Sequence, residues 1–405
     1  MTAGPAGPRH PRLSPGSVPA GAPRDVSISL SGFDDEPAPL SGPREVKLCL
    51  LGFGSVARAL CELLVAQERV LAERHGLRVL VAAAGTRHGS LLDPAGLTPA
   101  EVLAAVGDGP APPQAARPAH ELLAVSKADV LVELTVMGDL SDVAAGATSY
   151  RPAATDHVLE AFRLGMDVVT ANKGPIAWSW PEVAAAAAAA GRRIRFESTV
   201  MDGLPVFSLI EYALPDCTLL GFDAVFNATT NFIIDAMGTG RRYEDALAQV
   251  QAEGYAEADP SNDVDGWDAA SKAAALANVA MGAGITPADV ERESLAAVPL
   301  ERIVRAREQG RRLRLVSSVW REAAGPGEAS APGPGGAVTA GPVRARLRAE
   351  ELDIEHPLAA VSGESLAALL HTDLMADVLV SERHALVPQT AYGVYADLLH
   401  LCRTS

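Results

Sequence analysis

Several acids and one lysine are concentrated in segment 254–272, and their spacing suits acid–base chemistry. Asp268 and Lys272 are four residues apart, so on a helix they share one face. The residues that follow are mostly alanine, which indicates that this face is partly buried. Burial lowers the pKa of a lysine and nearby carboxylates raise it, a balance that suits a group exchanging protons near neutrality. A surface pair without catalytic consequence has the same spacing, so the spacing alone leaves both interpretations open.

A second lysine follows another predicted strand. The short apolar run 167–171 is typical of a buried strand, and Lys173 stands two residues beyond it. In open α/β sheets ligands bind at the carboxyl edge of the strands, so Lys173 is well placed for function. The alternative is a solvated lysine that simply leaves a strand.

A glycine-rich turn joins the first predicted strand, 46–51, to a predicted helix at 55–73. Gly52, Gly54 and Ala57 fit the pattern of a dinucleotide-binding turn, in which the second glycine lets the backbone approach a pyrophosphate. The pattern alone is weak evidence, but its strand-to-helix context favours a nucleotide site. The alternative is a glycine turn without a ligand.

The end of the second predicted strand bears on the choice of cofactor. NAD is usually held there by an acid that binds the ribose hydroxyls, and this strand ends without one. Thr86, Arg87 and His88 could instead hold a 2′-phosphate, so the sequence favours NADP and leaves NAD open. The alternative is that Arg87 points to solvent and binds no cofactor.

Composition and missing motifs exclude several classes of function. The net charge of −16 and the absence of a dense basic stretch argue against nucleic-acid binding. The four cysteines have no CxxC spacing, which fits a reducing cytoplasm, and no apolar run is long enough to cross a membrane. Sequences typical of serine hydrolases, zinc proteases and P-loop proteins do not occur.

The elements that must position these residues predict an α/β protein with two sheets. From residue 45, short apolar runs alternate with helical stretches, which is typical of a parallel sheet built from βαβ units. A second α/β domain with its own sheet is predicted from strands at 195–200, 219–227, 313–320 and 343–347. Residues 1–43 are rich in Pro, Gly, Ser and Ala and predict a disordered arm, and 325–342 predicts a flexible loop.

Five segments together resemble homoserine dehydrogenase in order and spacing: 52–60, 133–135, 169–175, 197–205 and 254–272. The resemblance covers about residues 45–401 and is to a short form without a C-terminal ACT domain. It implies a Rossmann-type dinucleotide-binding domain at 44–180, to which 361–405 returns. It also implies a substrate-binding and dimerisation domain with a mixed sheet at 181–360, and hence a homodimer.

The resemblance also implies roles for individual residues. Lys272 and Lys173 would be catalytic. The substrate would be bound by Thr229, Tyr255, Glu257, Asp263 and Asp268. The cofactor, NADP or alternatively NAD, would be bound by Gly52, Phe53, Gly54, Ser55, Val56, Arg87, Thr135 and Lys173. A structural sodium ion would be held by Glu197 and by the backbone oxygens of Val200, Asp202 and Leu204.

The activity implied by the resemblance is the reversible, NAD(P)H-dependent reduction of L-aspartate 4-semialdehyde to L-homoserine. Two departures from the family pattern concern its pocket: Ala228 replaces a usual glycine, and 381–389 replaces a glycine-rich loop. They leave open a dehydrogenase of a related amino or hydroxy acid. A non-catalytic protein that senses NADP is the alternative from another class.

Overall fold

Two six-stranded sheets organise the part of the chain described by the computed structural model, which comprises residues 42–403 without 108, 110, 139, 141–142, 144–149, 254, 257–258, 323–330, 333–337 and 340. The predicted arm, apart from its last two residues, and most of the predicted loop at 325–342 lie outside the described residues. The α/β class is confirmed. Along the described residues, no helix is long and apolar enough to cross a membrane.

The first sheet has the strand order β3-β2-β1-β4-β5-β6. All neighbouring strands are parallel except β2 and β3, which are antiparallel. Its strands are β1 (Arg44–Leu51), β2 (Leu77–Gly85), β3 (Ser90–Leu97), β4 (Val130–Glu133), β5 (Asp167–Thr170) and β6 (Ile194–Arg195). The order reverses between β1 and β4, which is where ligands bind in sheets of this kind.

The second sheet has the order β14-β13-β7-β9-β12-β8 and is mixed, as predicted. Only β12 and β8 are parallel neighbours. Its strands are β7 (Leu219–Val225), β8 (Glu291–Arg292), β9 (Arg311–Arg321), β12 (Val343–Asp353), β13 (Leu366–Thr372) and β14 (Ala376–Glu382). A separate pair consists of β10 (Ala331–Pro332) and β11 (Val338–Thr339).

The helices cover both sheets. Those of the first half are α1 (Ser55–Ala66), α2 (Glu68–His75), α3 (Pro99–Val106), α4 (Ala119–Ser126), α5 (Ala153–Arg163) and α6 (Gly174–Ala190). Those of the second half are α7 (Val206–Ser208), α8 (Ala228–Met237), α9 (Tyr243–Ala252), α10 (Ser261–Val264), α11 (Trp267–Met281), α12 (Leu300–Glu308) and α13 (Val387–Arg403). The helix predicted at 55–73 is therefore two helices that meet at Gln67.

Strand β1 is buried on both faces because its alternate residues enter different hydrophobic clusters. Leu48 and Leu50 pack in the cluster that includes α1 and α13, whereas Cys49 and Leu51 pack in the cluster that includes α5 and α6. This explains why the strand reads as a continuous apolar run, which is the pattern of a parallel sheet covered by helices on two sides.

Two expected boundaries need correction. Residues 195–200 do not form a strand of the second sheet: β6 is short and pairs with β5 of the first sheet, and a 3₁₀ turn follows from Glu197 to Thr199. The boundary at 180/181 therefore falls inside α6, which belongs with the first sheet. At the other end, β13 and β14 pair in the second sheet, so the return expected from residue 361 begins only after Glu382. Local strand patterns do not reveal which sheet a strand joins.

Helix α13 carries the chain back to the first sheet. Its apolar residues, such as Val394 and Leu398, pack in the cluster that includes α1. On another side the helix bonds to the turn after β6: the Glu197 N–H donates to Asp397 Oδ2 at 2.8 Å, and Ser198 Oγ donates to the Thr390 carbonyl at 2.8 Å. The last helix thus links the nucleotide-type sheet to the turn that leads into the second half.

Asp397 is only 3% exposed. Burial raises the pKa of its carboxyl to about 8, and the hydrogen bond from the Glu197 N–H offsets part of that rise. An unfolded aspartate titrates near pH ~3.9. Between these two values the folded chain keeps a proton that the unfolded chain releases, so this group makes the fold less stable as pH rises.

We expect Asp397→Asn to flatten the dependence of stability on pH. The amide oxygen can still accept the Glu197 N–H, but the group no longer ionises. Between pH 5 and pH 8.5, the melting temperature of the wild type should fall by about 2 °C or more beyond that of the variant. Parallel curves of melting temperature against pH for the two proteins would contradict this role of Asp397.

Candidate active site

The turn after β1 has the backbone that a dinucleotide needs. Gly52 has a φ of 90°, and a Cβ at this position would lie 2.5 Å from the backbone carbonyl of Leu134, so no other residue fits without a shift of β4. Gly54 caps α1 and has no heavy atom within 4 Å of the place where its Cβ would be. The start of α1 therefore faces open space, and its backbone N–H groups suit a pyrophosphate.

Other residues predicted to bind the cofactor lie around this turn. Ser55 and Val56 form the first turn of α1, and Val56 borders the large cavity described below. Phe53 is 2% exposed, so its side chain is not available to a ligand.

The turn after β2 presents two exposed basic side chains. Thr86 Oγ1 accepts hydrogen bonds from the backbone N–H groups of His88 and Gly89, both at 3.1 Å, which fixes the turn. Arg87 and His88 are exposed, and Arg87 Nε bonds to His88 Nε2 at 2.9 Å. The turn thus exposes the Arg87 guanidinium at the end of β2, which is where the ribose of a dinucleotide lies in folds of this kind.

A cavity of about 620 Å³ lies beside the carboxyl edge of the first sheet and reaches the start of α11. Its size suits a small-molecule ligand. Its walls are formed by Val56, Leu134, Thr135, Val136, Met137, Ala171, Asn172, Lys173, Tyr255, Asp259, Asn262, Asp263, Asp268 and Thr390. The strand ends of the first sheet and the acids of segment 254–272 therefore face the same space.

Asp268 joins two lysines from distant parts of the chain. Its Oδ1 is 3.0 Å from Lys173 Nζ, and its Oδ2 is 3.0 Å from Lys272 Nζ. Lys173 caps α6 after the first sheet, whereas Asp268 and Lys272 lie one turn apart on α11. Lys272 Nζ also donates to the carbonyl of Phe226 at 2.8 Å. The ambiguity of the Asp–Lys spacing is resolved, because this pair is not on the surface.

These charges shift the pKa values in a definite direction. Burial raises the pKa of Asp268, but Lys173 and Lys272 lower it more strongly, so it lies below its usual value. Burial lowers the pKa of Lys272, but the nearby carboxylates, chiefly Asp268, raise it more. The expectation of a lysine that titrates near neutrality was therefore wrong. Lys272 is a cation at neutral pH because the acids around it outweigh the loss of water.

Asp263 and Asn227 extend the network. Asn227 caps α8 by accepting the Thr230 N–H at 2.8 Å. Its Nδ2 donates to Asp263 Oδ1 at 2.7 Å and to Asp268 Oδ2 at 3.1 Å. Burial and the charge of Asp268 raise the pKa of Asp263, so the cavity wall holds one carboxyl that takes up a proton more easily than usual.

The other residues predicted to bind substrate are placed unequally. Tyr255 lines the cavity and stacks on Phe232, with 4.0 Å between ring centroids. Thr229 lies behind it and donates to the Tyr255 carbonyl at 3.0 Å, and neither Thr229 nor Ala228 is among the lining residues. Glu257 lies outside the described residues. The extra methyl of Ala228 therefore does not narrow this cavity.

Polar residues at the ends of β4 and β5 were only partly anticipated. Thr135 bonds through its hydroxyl to buried Glu133, whose Oε1 also lies 3.2 Å from His157 Nδ1. Asn172 Nδ2 donates to the Thr135 carbonyl at 2.9 Å, next to Lys173. Asn172 lies in segment 169–175, one of the five that resemble the family, and this segment was the sequence signal for its position at the site. Asp259 and Asn262, which also line the cavity, lie in segment 254–272, so a signal existed for them as well, whereas the sequence offered none for Thr390.

The residues predicted to hold sodium lie on the turn after β6, and the fit to an ion is incomplete. The Glu197 carboxylate already accepts the backbone N–H groups of Phe207 at 2.7 Å and Ser208 at 2.9 Å. The Leu204 carbonyl accepts the Val206 N–H at 2.8 Å. Asp202 has a φ of 49°, and its side chain, which is not the predicted ligand, accepts Thr390 Oγ1 at 2.7 Å. Among the described residues, no three His, Cys, Asp or Glu side chains form a metal cluster.

The dinucleotide-type turn, the cavity and the paired lysines together define a dehydrogenase that uses a nicotinamide cofactor. Two family models match the chain: the NAD-binding domain of homoserine dehydrogenase over residues 52–197, and homoserine dehydrogenase over 205–399. The chain belongs to the homoserine dehydrogenase family. The resemblance stated from the sequence is thereby confirmed.

Curated relatives agree with the family models. An NAD(+)-dependent homoserine dehydrogenase of Pseudomonas canavaninivorans is 33% identical over 357 residues, which is 87% of this chain and 95% of that protein. One of Methanocaldococcus jannaschii is 28% identical over 87% of this chain and 97% of its own length. The match to homoserine dehydrogenase of Mycobacterium leprae, at 34% identity, covers 69% of this chain and 58% of that protein.

Solved structures share the fold. A homoserine dehydrogenase from Thiobacillus denitrificans has a TM-score of 0.72 at 27% identity, over 89% of this chain and 74% of that chain. A hyperthermophilic archaeal homoserine dehydrogenase in complex with NADPH has a TM-score of 0.69 at 26% identity, over 89% of this chain and 99% of that chain.

The two turn glycines should respond differently to alanine. Gly52→Ala should lower the melting temperature, because the new Cβ meets the Leu134 backbone at a positive φ. Gly54→Ala should leave the melting temperature within about 2 °C of the wild type, since its Cβ enters open space. It should still weaken cofactor binding about tenfold by keeping the pyrophosphate from the backbone. Calorimetry and cofactor titration measure both effects. If Gly54→Ala bound the cofactor as tightly as the wild type, this would contradict a pyrophosphate site at the turn after β1.

Proposed function

We propose that this cavity carries out the reversible, NAD(P)H-dependent reduction of L-aspartate 4-semialdehyde to L-homoserine. The observation that carries the proposal is the carboxylate of Asp268 with a lysine on each oxygen, beside the cofactor-type turn. Membership of the homoserine dehydrogenase family supports the choice of substrate.

The cofactor supplies the hydride, and the chain's own residues provide the charge and the proton. As the aldehyde is reduced, negative charge develops on its oxygen, and a nearby cation lowers the energy of that charge. We assign Lys272 as the group that donates the proton, because the surrounding carboxylates keep it protonated at neutral pH. Lys173, on the cavity wall, would hold the substrate and the nicotinamide end of the cofactor in place.

The acids divide into two roles. Both oxygens of Asp268 are within 3.0 Å of a lysine, so Asp268 is better suited to orient the lysines than to bind the substrate ammonium group. Asp263 also lines the cavity, and among the described residues no Lys or Arg lies within 4.0 Å of its carboxylate, whose Oδ1 accepts Asn227 Nδ2. We assign the ammonium group to Asp263, and Tyr255 and Glu257 keep the substrate-binding roles that the resemblance implies.

Lys272→Ala tests the assignment of the acid. We expect turnover to fall ~10²-fold or more, because the general acid is lost, while the dissociation constant of NADPH changes little. Lys127→Ala is the matched control, since Lys127 is an exposed lysine outside the cavity. Steady-state kinetics and a cofactor titration provide both quantities. Turnover in Lys272→Ala equal to that of the control would exclude Lys272 as the acid.

We also propose that NADP is the preferred cofactor. Arg87 and His88 lie exposed after β2, and no acid stands there to hold the ribose hydroxyls of NAD. Similar proteins point both ways: one relative is an NAD(+)-dependent homoserine dehydrogenase, and one solved structure is a complex with NADPH. The residues of this chain therefore carry the proposal.

Arg87→Ala tests this preference. We expect kcat/KM for NADPH to fall about tenfold or more, because a charge-assisted bond to the 2′-phosphate is lost. The value for NADH, which lacks that phosphate, should stay within about twofold. Arg69→Ala, an exposed arginine on α2, serves as the control. An equal loss of kcat/KM with NADPH and NADH would show that Arg87 does not bind the 2′-phosphate.

The remaining family features are proposed on the resemblance. A homodimer would sediment at twice the 42.0 kDa of one chain, and a species of one chain's mass at micromolar concentration would contradict it.

A sodium ion on the turn after β6 would have to share Glu197 and Leu204 with their present partners. A bound sodium ion predicts a higher melting temperature in sodium chloride than in choline chloride of equal ionic strength.

We place the protein in the cytoplasm because its four cysteines are free thiols.

A further inference from the structure

A second cavity, of about 400 Å³, lies between α8, α12 and the start of β9, away from the nucleotide turn and the paired lysines. Four arginines line it: Arg307 from α12 and Arg311, Arg312 and Arg314 from β9. This concentration is unusual in a chain with a net charge of −16. We call these residues with their surroundings the arginine cavity.

Arg314 is the deepest of the four and has an unused donor. The residue is only 3% exposed, and its Nη1 lies 2.9 Å from Asp235 Oδ1. Its Nε is buried and has no hydrogen-bond partner among the described residues. An unpaired donor on a buried cation is costly, because water no longer solvates it and no protein acceptor replaces the water. The Arg314 guanidinium therefore adds to the cavity wall a fixed positive charge that has a single carboxylate partner, Asp235.

The other arginines are only partly compensated. Arg311 Nε lies 3.1 Å from Asp353 Oδ1, and the Arg312 guanidinium donates to the Arg311 carbonyl at 3.0 Å. Within the described part of the chain, neither Arg307 nor Arg312 has a carboxylate within 4.0 Å. Asp235 and Asp353 therefore leave two positive charges unmatched around the cavity. Guanidinium groups form paired hydrogen bonds to phosphate, which suits this surplus.

We propose that the arginine cavity is a binding site for a small phosphate-bearing molecule. A phosphate monoester carries a charge close to −2 at neutral pH, which matches the two unmatched arginines. The apolar walls formed by Ile303, Ile354 and Ala359 leave room for a short carbon chain beside the phosphate. Asp235 and Gly238 of α8 form part of the wall, so a ligand would contact the helix whose first turn is capped by Asn227 at the active site.

The site can be tested on the full chain by isothermal titration calorimetry. Saturating NADP keeps the titrated phosphate out of the cofactor turn, and glycerol 3-phosphate serves as the probe because it has no amino group for the substrate acids. We expect one molecule to bind per chain. Arg307→Gln and Arg312→Gln should each weaken binding about tenfold or more, because each removes a charge-assisted bond.

Arg305→Gln is the matched control, since Arg305 is an exposed arginine on the same helix as Arg307 but does not line the cavity. It should bind the probe like the wild type. Inorganic phosphate that binds as tightly as glycerol 3-phosphate would identify the phosphate group alone as the ligand determinant and would still support the site. Equal binding of succinate, wild-type affinity in both cavity variants, or no binding at millimolar probe would overturn the proposal. This outcome does not depend on the dehydrogenase activity.

Discussion

The ion triad of Asp268 with Lys173 and Lys272 is the contact on which the active site depends. A carboxylate buried without partners would be strongly destabilising, and so would either lysine without its acid. Each lysine is therefore stable at this depth only when Asp268 is present, and Asp268 is stable there because lysines pair with it. Because Lys173 follows the first sheet and Asp268 lies on α11, the triad also sets the position of that sheet relative to the second half of the chain.

The packing around α11 makes this contact possible. The helix is rich in alanine, so its backbone can approach its neighbours closely, and most of its residues are buried. Asn278, deeper in the same helix, donates to the carbonyl of Ile176 on α6 at 3.1 Å. Two points along α11, Asp268 and Asn278, are thus bonded to the start of α6, at Lys173 and Ile176. The orientation of Lys272 follows from a rigid helix pair rather than from a loop, as precise proton transfer requires.

Lysine and arginine have separate roles in this chain. Only four of its 34 basic residues are lysines, and two of the four meet at Asp268. Arginine keeps its proton under all ordinary conditions and forms the ion pairs of the surface and of the arginine cavity, whereas lysine can give a proton up. The scarcity of lysine was a signal available in the sequence, and it identifies the active-site pair more sharply than the spacing of Asp268 and Lys272 does.

The sequence by itself determined the α/β class, the dinucleotide turn, the helix face shared by Asp268 and Lys272, and the position of Lys173 after a strand, because these depend on local periodicity and spacing. Only the tertiary structure decided that both lysines share one carboxylate, that β6 joins the first sheet and β13 the second, and that four arginines surround one cavity. These features depend on contacts between residues far apart in the chain. The tertiary structure also corrected the expected pKa of Lys272, because burial and nearby acids oppose each other and their balance depends on three-dimensional distances.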